Sequence, residues 1–186
     1  MSGERSTREG ILLNLLEEFR ECGFDGVSLA RISEVTGLGR ASLYHHFPGG
    51  KGEMAEAVMA LAADWLEDHV FVSLDGPGEP EARLAEVLAA FNAFYGEGTK
   101  SCLLDVMALR NQPGARASVK RIFQRLVHGF ERLALDAGHP PEAARQRAEA
   151  AIVAIQGSLI VARGLEAPDV FLRVIESLRR DYLRIV

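Results

Sequence analysis

The sequence is poor in cysteine, lysine and long apolar runs. Only two cysteines occur, Cys22 and Cys102, and their spacing is not that of a metal or redox site. The most apolar stretch, residues 150–162, is shorter than the roughly 20 residues that a membrane span needs. The first ten residues, MSGERSTREG, contain no apolar signal region. These features exclude a disulfide scaffold and a membrane span, and we expect a cytoplasmic protein.

Sequence motifs of catalysis and metal binding are missing as well. There is no Gly-x-Ser-x-Gly, no P-loop and no strand-linked Gly-x-Gly-x-x-Gly. His69 and His128 fall on different predicted helices and His139 in a predicted turn, without a partner at helical spacing or a pair of carboxylates. We therefore expect neither an enzyme nor a bound metal or cofactor.

The pattern of apolar residues predicts an all-α fold. With 186 residues, of which 48% are hydrophobic and 25% charged, the chain can bury a core without staples. Apolar residues recur at spacings of three and four in every long segment, and no stretch alternates as a strand does. We predict about nine helices, at residues 4–22, 28–36, 40–47, 51–71, 81–97, 101–111, 115–137, 142–163 and 168–185. The three short helices suggest an N-terminal domain, residues 1–50, and the longer ones a second domain, residues 51–186.

Charge is unevenly distributed along the chain. The formal net charge is −5, which does not suggest a strongly basic nucleic-acid-binding protein. Residues 37–52, however, contain no acid, while Arg40, His45, His46 and Lys51 lie within them. This acid-free window of an acidic chain is a candidate for contact with a polyanion.

Residues 28–47, SLARISEVTGLGRASLYHHF, predict a helix-turn-helix. Ser28 is a good N-cap and Gly37 a break, and the apolar side chains predicted to pack on the first helix are Leu29, Ile32, Val35, Leu38, Leu43 and Phe47. The outward residues of the second short helix are then Arg40, Ala41, Ser42, Tyr44, His45 and His46. Arginine can bind a guanine edge or a phosphate, and hydroxyls can bind phosphates. Two short helices joined at a glycine are also common in all-α proteins that bind no DNA.

Residues 7–54 resemble the N-terminal domain of TetR-family transcriptional regulators. The matching residues are Thr7-Arg8, Phe19, Gly23-Phe24, Val27-Ser28, Ile32, Gly37-Leu38 and above all Leu43-Tyr44-His45-His46-Phe47 followed by Lys51. The PGGK string at 48–51 and Ser101-Cys102-Leu103-Leu104 resemble the branch of LmrA- and YxaF-like regulators. Ser33, Thr36 and Gly39 depart from the family pattern, and Gly39 leaves the recognition helix less well capped. The resemblance implies DNA contacts at Ser28, Arg40, Ala41, Ser42, Tyr44, His45, His46 and Lys51.

The resemblance also implies that the second domain binds a small molecule and forms a homodimer. Candidate ligand-binding residues are large or polar side chains of the middle helices: Trp65, Phe91, Phe94, Tyr95, Cys102, Met107, Phe123 and Gln156. Aromatic residues at helical spacing can equally be ordinary core. Residues 150–162 are apolar nearly all round, which suits burial on two sides. The candidate dimer residues are Ile152, Ile155, Leu159, Phe171, Val174 and Leu178, and the alternative is the core of a large monomeric bundle.

Together these features predict a ligand-responsive DNA-binding regulator. We expect a repressor that binds a palindromic operator as a dimer and is released by a small, partly apolar effector. The alternative is a helical small-molecule-binding or interaction protein that does not bind DNA, which the negative net charge and the weak cap at Gly39 favour.

Overall fold

The computed structural model describes the backbone of residues 8–108 and 113–185, and the side chains of these residues except 106–108 and 113–115. All regular elements in these residues are helical. The helices are α1 Arg8–Gly26, α2 Leu29–Thr36, α3 Arg40–His46, α4 Gly50–Leu66, α5 Val72–Asp75, α6 Pro80–Phe94, α7 Leu103–Ala108, α8 Pro113–Asp136, α9 Pro141–Gly164 and α10 Asp169–Asp181. A π-helical turn, Glu67–Phe71, joins α4 to α5 without a break, and a 3₁₀ turn spans Gly96–Gly98. When α4, the π-helical turn and α5 are counted as one continuous helix, the described part of the chain has the nine helices that the periodicity predicts.

The ends of the first three helices follow the residues that predict them. Gly23 takes φ 71° and ψ 166°, which interrupts α1 where the sequence predicts its end. The Ser28 hydroxyl oxygen accepts a hydrogen bond from the Arg31 amide at 3.1 Å, which caps α2. Gly37 then ends α2 in the left-handed conformation, at φ 69°. Local sequence therefore fixes the turn between α2 and α3.

The described residues form two compact units. One contains the residues up to Ala63 together with those between Leu103 and Val119, and the other contains Asp64–Cys102 with the residues from Lys120 onwards. In the first unit α1 buries Ile11, Leu15 and Phe19, and α7 packs against α1. The predicted functional boundary at residues 50 and 51 is a separate matter and stays a prediction.

The second unit is built around a buried arginine. Arg83 on α6 is only 5% exposed. Its guanidinium donates hydrogen bonds to the carbonyl oxygens of Ser73 (3.0 Å) and Leu74 and to the Asp136 carboxylate (2.7 Å). One side chain therefore joins the end of α5, the start of α6 and the end of α8. None of the helices in the described ranges is both long enough and apolar enough to cross a bilayer.

Replacing Arg83 should destabilise the second unit strongly. We expect Arg83→Met to lower the free energy of unfolding by about 2–4 kcal/mol, because two buried carbonyl groups and a carboxylate would lose their donor. The exposed Arg132 on α8 offers the control Arg132→Met, which should change it by less than about 0.5 kcal/mol. Urea denaturation of both variants measures the difference, and equal midpoints would contradict the bridging role of Arg83.

Gly37 and Gly39 should respond in opposite directions to the same substitution. A Cβ would meet no atom within 4 Å at either residue, so only the backbone differs. Gly37 has φ 69°, whereas Gly39, the N-cap of α3, has φ −68° and ψ 159°. We expect Gly37→Ser to cost about 1 kcal/mol and Gly39→Ser to add a few tenths of a kcal/mol by capping α3. Thermal denaturation measures both, and a shift of the same sign in the two variants would refute this explanation.

Candidate functional site

The exposed face of α3 is made by the residues that the sequence predicts to point outward. Leu43 and Phe47 are buried, one helical turn apart, under the N-terminal helices. The exposed side chains are Arg40, Ala41, Ser42, Tyr44 and His45, and His46 is half-buried. The His46 ring lies beside those of His45 and Phe47, with centroids at 5.8 and 6.4 Å. α3 thus presents one cation, two hydroxyls and an imidazole around a small alanine.

A buried hydroxyl tightens the turn before α3. The Thr36 hydroxyl donates to the Ile32 carbonyl at 2.6 Å and accepts a longer hydrogen bond from the Leu38 amide at 3.4 Å. Thr36 departs from the family pattern, and here its hydroxyl satisfies backbone groups at the end of α2. Gly39 makes no side-chain cap, as the sequence predicts. Side-chain hydrogen bonds therefore stabilise the turn at the end of α2, whereas the N-cap of α3 makes none.

An ion pair that the sequence does not indicate joins α2 to α1. Arg31 donates to both carboxylate oxygens of Glu18, at 2.9 and 2.8 Å, and to Glu34 at 3.1 Å. These carboxylates raise the pKa of the Arg31 guanidinium above its ordinary value, chiefly through the hydrogen bonds to Glu18. The pair links residues 13 positions apart, which no helical spacing reveals. It fixes α2, and through the short turn α3, relative to α1.

The turn between α3 and α4 adjoins the exposed face of α3. Gly50 has φ 66°, and a Cβ there would lie 3.5 Å from the Tyr44 ring and 3.9 Å from its hydroxyl oxygen. The Gly49 amide donates to the Glu53 carboxylate at 2.7 Å. Glu53 was not among the predicted site residues, although it is the first acid after the acid-free window.

Lys51, a predicted phosphate contact, lies at the start of α4. Its ammonium is 4.6 Å from the centroid of the Phe24 ring, a cation–π contact that the sequence does not reveal. Partial burial lowers the pKa of Lys51 from its ordinary value. Ser28, another predicted contact, is exposed and uses its oxygen to cap α2. The Arg8 guanidinium lies over the Phe47 ring at 5.4 Å from its centroid. Thr7, which also matches the family pattern, is outside the described residues.

The structure brings most of the predicted ligand-binding residues into one aromatic cluster. Tyr95 contacts the Phe91, Phe94 and Phe171 rings, and Trp65 stacks on Phe94 and on His69, each at 4.4 Å. The Gln156 amide donates to the Tyr95 hydroxyl at 3.3 Å, and that hydroxyl lies 3.5 Å from the Cys102 sulfur. Phe123 is half-buried on α8, and the side chain of Met107 is outside the described residues. These side chains form a packed aromatic cluster, and their contact with a ligand stays a prediction.

A cavity lies next to this cluster, on α6 and α10. A groove of about 650 Å³ between α6 and α10 is lined by Leu88, Ala89, Asn92, Ala93, Gly96, Glu97, Leu172, Ile175, Glu176 and Arg179. None of the seven predicted ligand-binding residues whose side chains the structure describes lines it. The small side chains of Ala89 and Ala93 on one face of α6 leave this space, and alanines in a helix give no signal of a cavity.

The predicted dimer residues need a correction. Ile152, Ile155, Leu159 and Phe171 are at most 6% exposed within a single chain, so they form its own core and offer no surface to a partner. Val174 and Leu178 are half-buried. The exposed apolar residues of α9 lie on its other face: Val153 (70% exposed), Ile160 (57%) and Val161 (47%). A helix that is apolar all round does not reveal from its sequence which face its own fold covers.

Comparisons with known proteins agree with this architecture. Residues 11–58 match the family model described as bacterial regulatory proteins, tetR family. The chain is 24% identical to the HTH-type transcriptional regulator YxaF of Bacillus subtilis over 168 residues, 87% of each protein. It is 25% identical to the HTH-type regulator LmrA of the same organism over 103 residues, and it spans only about half of that protein (52%).

Solved structures share the fold. A TetR transcriptional regulator from Legionella pneumophila superimposes with a TM-score of 0.80 at 19% identity, over 94% of this chain and 97% of that one. A TetR-family regulator from Agrobacterium tumefaciens gives 0.78 at 19% identity, over 92% and 95% of the two chains. The matched residues 11–58 contain α2, α3 and the turn to α4, which carry the predicted DNA contacts. Residues 11–58 are therefore assigned to the N-terminal domain of the TetR family, and the rest of the described chain shares the fold of TetR-family transcriptional regulators.

Proposed function

We propose that the chain is a homodimeric repressor that a small, partly apolar effector releases from a palindromic operator. The exposed face of α3, free of acids and held by buried Leu43 and Phe47, is the observation that supports this most directly. The α3 helices of the two subunits would enter successive major grooves of a quasi-palindrome. Such a regulator would work in the cytoplasm, and repression is the sign of regulation typical of the family.

The dimensions and chemistry of α3 suit the major groove. Its seven residues span about 10 Å, comparable with the groove's width of about 12 Å. Ala41 and Ser42 allow the helix axis to approach the bases closely. Arg40 can donate two hydrogen bonds to a guanine, and the Tyr44 hydroxyl can donate to a phosphate. His45, His46, Ser28 and Lys51 would add contacts to the backbone at the edges of the same surface.

Exposed apolar residues on α9 support the dimer. One face of this helix carries three exposed apolar side chains at helical spacing, Val153, Ile160 and Val161. A cluster of exposed apolar side chains usually marks an interaction site. A Cβ at Gly157 or Gly164 would meet no atom of the same chain within 4 Å, so a second helix could approach closely there. A two-fold protein also matches a two-fold operator. We assign the dimer contact to this face, in place of the buried residues that the sequence predicted.

The aromatic cluster supports a response to an effector. The amide oxygen of Gln156 is buried and accepts no hydrogen bond within the described ranges, so a donor on a ligand would satisfy it. Trp65 lies in the last turn of α4, which the π-helical turn Glu67–Phe71 follows. Irregularities of this type are frequent at functional sites. A ligand that binds beside Trp65 better in one conformation than in another would shift α4 and change the operator affinity.

Selection of bound duplexes from a random DNA pool tests the proposed function. Enrichment of a two-fold-symmetric site would support a dimeric regulator and provide its operator. No enrichment by folded dimer, repeated after unfolding and refolding to remove a copurified effector, would contradict DNA binding and favour the alternative of a ligand-binding protein without DNA contact.

Substitutions on α3 should weaken binding to the selected duplex. We expect Arg40→Ala to cost about 1–3 kcal/mol of binding free energy and to relax the preference at one base pair, since its guanidinium would lose an edge contact. Tyr44→Phe should cost about 1 kcal/mol without changing the sequence preference. Fluorescence anisotropy measures both against Arg132→Ala, an exposed arginine on α8. Affinities equal to that control would show that α3 does not contact DNA.

A charge on the exposed face of α9 should abolish the dimer. We expect Val153→Arg to give monomers at micromolar concentration and to lose operator binding, because two arginines would be buried near each other in the interface. Val72→Arg on α5, at a residue that is 59% exposed, is the matched control and should stay dimeric. Light scattering coupled to size-exclusion chromatography measures the mass. A dimer of Val153→Arg as tight as that of Val72→Arg would place the interface elsewhere.

A further inference from the structure

The first acid after the acid-free window of the sequence is hydrogen-bonded to a residue of that window. Residues 37–52 contain no carboxylate, and Glu53 comes next. The structure turns this side chain back, so that its Oε2 accepts a hydrogen bond from the Gly49 amide at 2.7 Å. One carboxylate therefore lies at the turn after α3, next to residues that carry none.

The turn is shaped to hold that carboxylate. A Cβ at residue 49 would lie 3.2 Å from both Cβ and Oε2 of Glu53, so glycine leaves the room that the side chain occupies. Glu53 lies in the first turn of α4, a helix of 17 residues whose initial amides lack helical partners. A carboxylate is favoured there both by the amide that it accepts from and by the helix dipole.

The same turn adjoins the proposed DNA contacts. The Tyr44 ring packs against Gly50, next to Gly49, and Lys51 follows in the chain. The Lys51 ammonium lies over Phe24 and makes no ion pair with Glu53 among the described contacts. A phosphate bound by the Tyr44 hydroxyl would lie next to this turn, where one of its oxygens could accept from the Gly49 amide in place of the Glu53 carboxylate.

We propose that Glu53 is an internal competitor of a DNA phosphate at the Gly49–Lys51 turn and so lowers the affinity of the protein for DNA. The inference rests on the proposed function of α3. When DNA binds, the carboxylate must leave the Gly49 amide or stay near a phosphate of like charge, and either alternative weakens the complex. Glu53 thus stabilises the free protein while it destabilises the bound state.

This dual role gives Glu53 substitutions opposite effects on folding and on binding. Glu53→Gln keeps the shape and removes the charge, and Glu53→Ala removes the cap as well. We expect both variants to bind a random-sequence duplex about three- to tenfold more tightly at about 50 mM salt, with a smaller gain at about 200 mM. The melting temperature should fall by about 1–4 °C, more for Glu53→Ala.

Glu56→Gln is the matched control. Glu56 is exposed one turn further along α4, so this variant makes the same change of net charge on the same helix. Its gain in affinity should stay under about twofold, because only long-range attraction changes. Fluorescence anisotropy over a salt series and thermal denaturation measure all three variants beside the unmodified protein.

The outcomes separate the inference from the proposed function. Tighter binding by both Glu53 variants together with lower stability supports the competition. Binding that is weaker, or no tighter than that of Glu56→Gln, overturns it and leaves Glu53 as a structural cap. Should the unmodified protein and every variant fail to bind duplex at low salt, the proposed function itself fails.

Discussion

The DNA-binding part of the protein depends on the burial of two side chains, Leu43 and Phe47, one turn apart under α3. Because both side chains are buried, α3 cannot rotate about its axis without exposing a large apolar group. Exposing either side chain would cost about 1.5–3 kcal/mol. That constraint decides which residues face outward. The bidentate ion pair of Arg31 with Glu18 adds the second fixed point, because it holds α2 on α1 and leaves the short turn at Gly37 little freedom.

The second unit is stabilised by a different kind of interaction. Its helix ends are joined by arginines that donate to backbone carbonyls: Arg83 at the end of α5, and Arg147 at the carbonyls of residues 181, 182 and 184 after α10. Such donors satisfy the last carbonyls of α5 and α10, neither of which ends in a left-handed cap residue.

Local signals in the sequence predicted more than long-range ones. Ser28 as an N-cap, the interruption at Gly23 and the outward face of α3 follow from spacing and residue type, and the structure confirms them. For the predicted dimer residues the sequence was ambiguous, because the buried Ile155 and the exposed Val153 lie on opposite faces of a helix that is apolar on both. The arrangements of Arg31 with Glu18 and of Glu53 with Gly49 depend on tertiary geometry or on a turn conformation, and charge patterning alone does not identify them.

On the proposed function, three features of the DNA surface would keep its affinity moderate. Gly39 leaves α3 without a side-chain cap, the Lys51 ammonium is partly buried on Phe24, and Glu53 occupies an amide that a phosphate could use. An allosteric coupling of about 1–3 kcal/mol between effector and operator changes affinity only about 5- to 150-fold. Such a coupling releases a regulator only when its operator affinity is close to what the cell requires for occupancy. A surface of moderate affinity therefore suits release by a small effector, whereas a fully optimised one would stay bound.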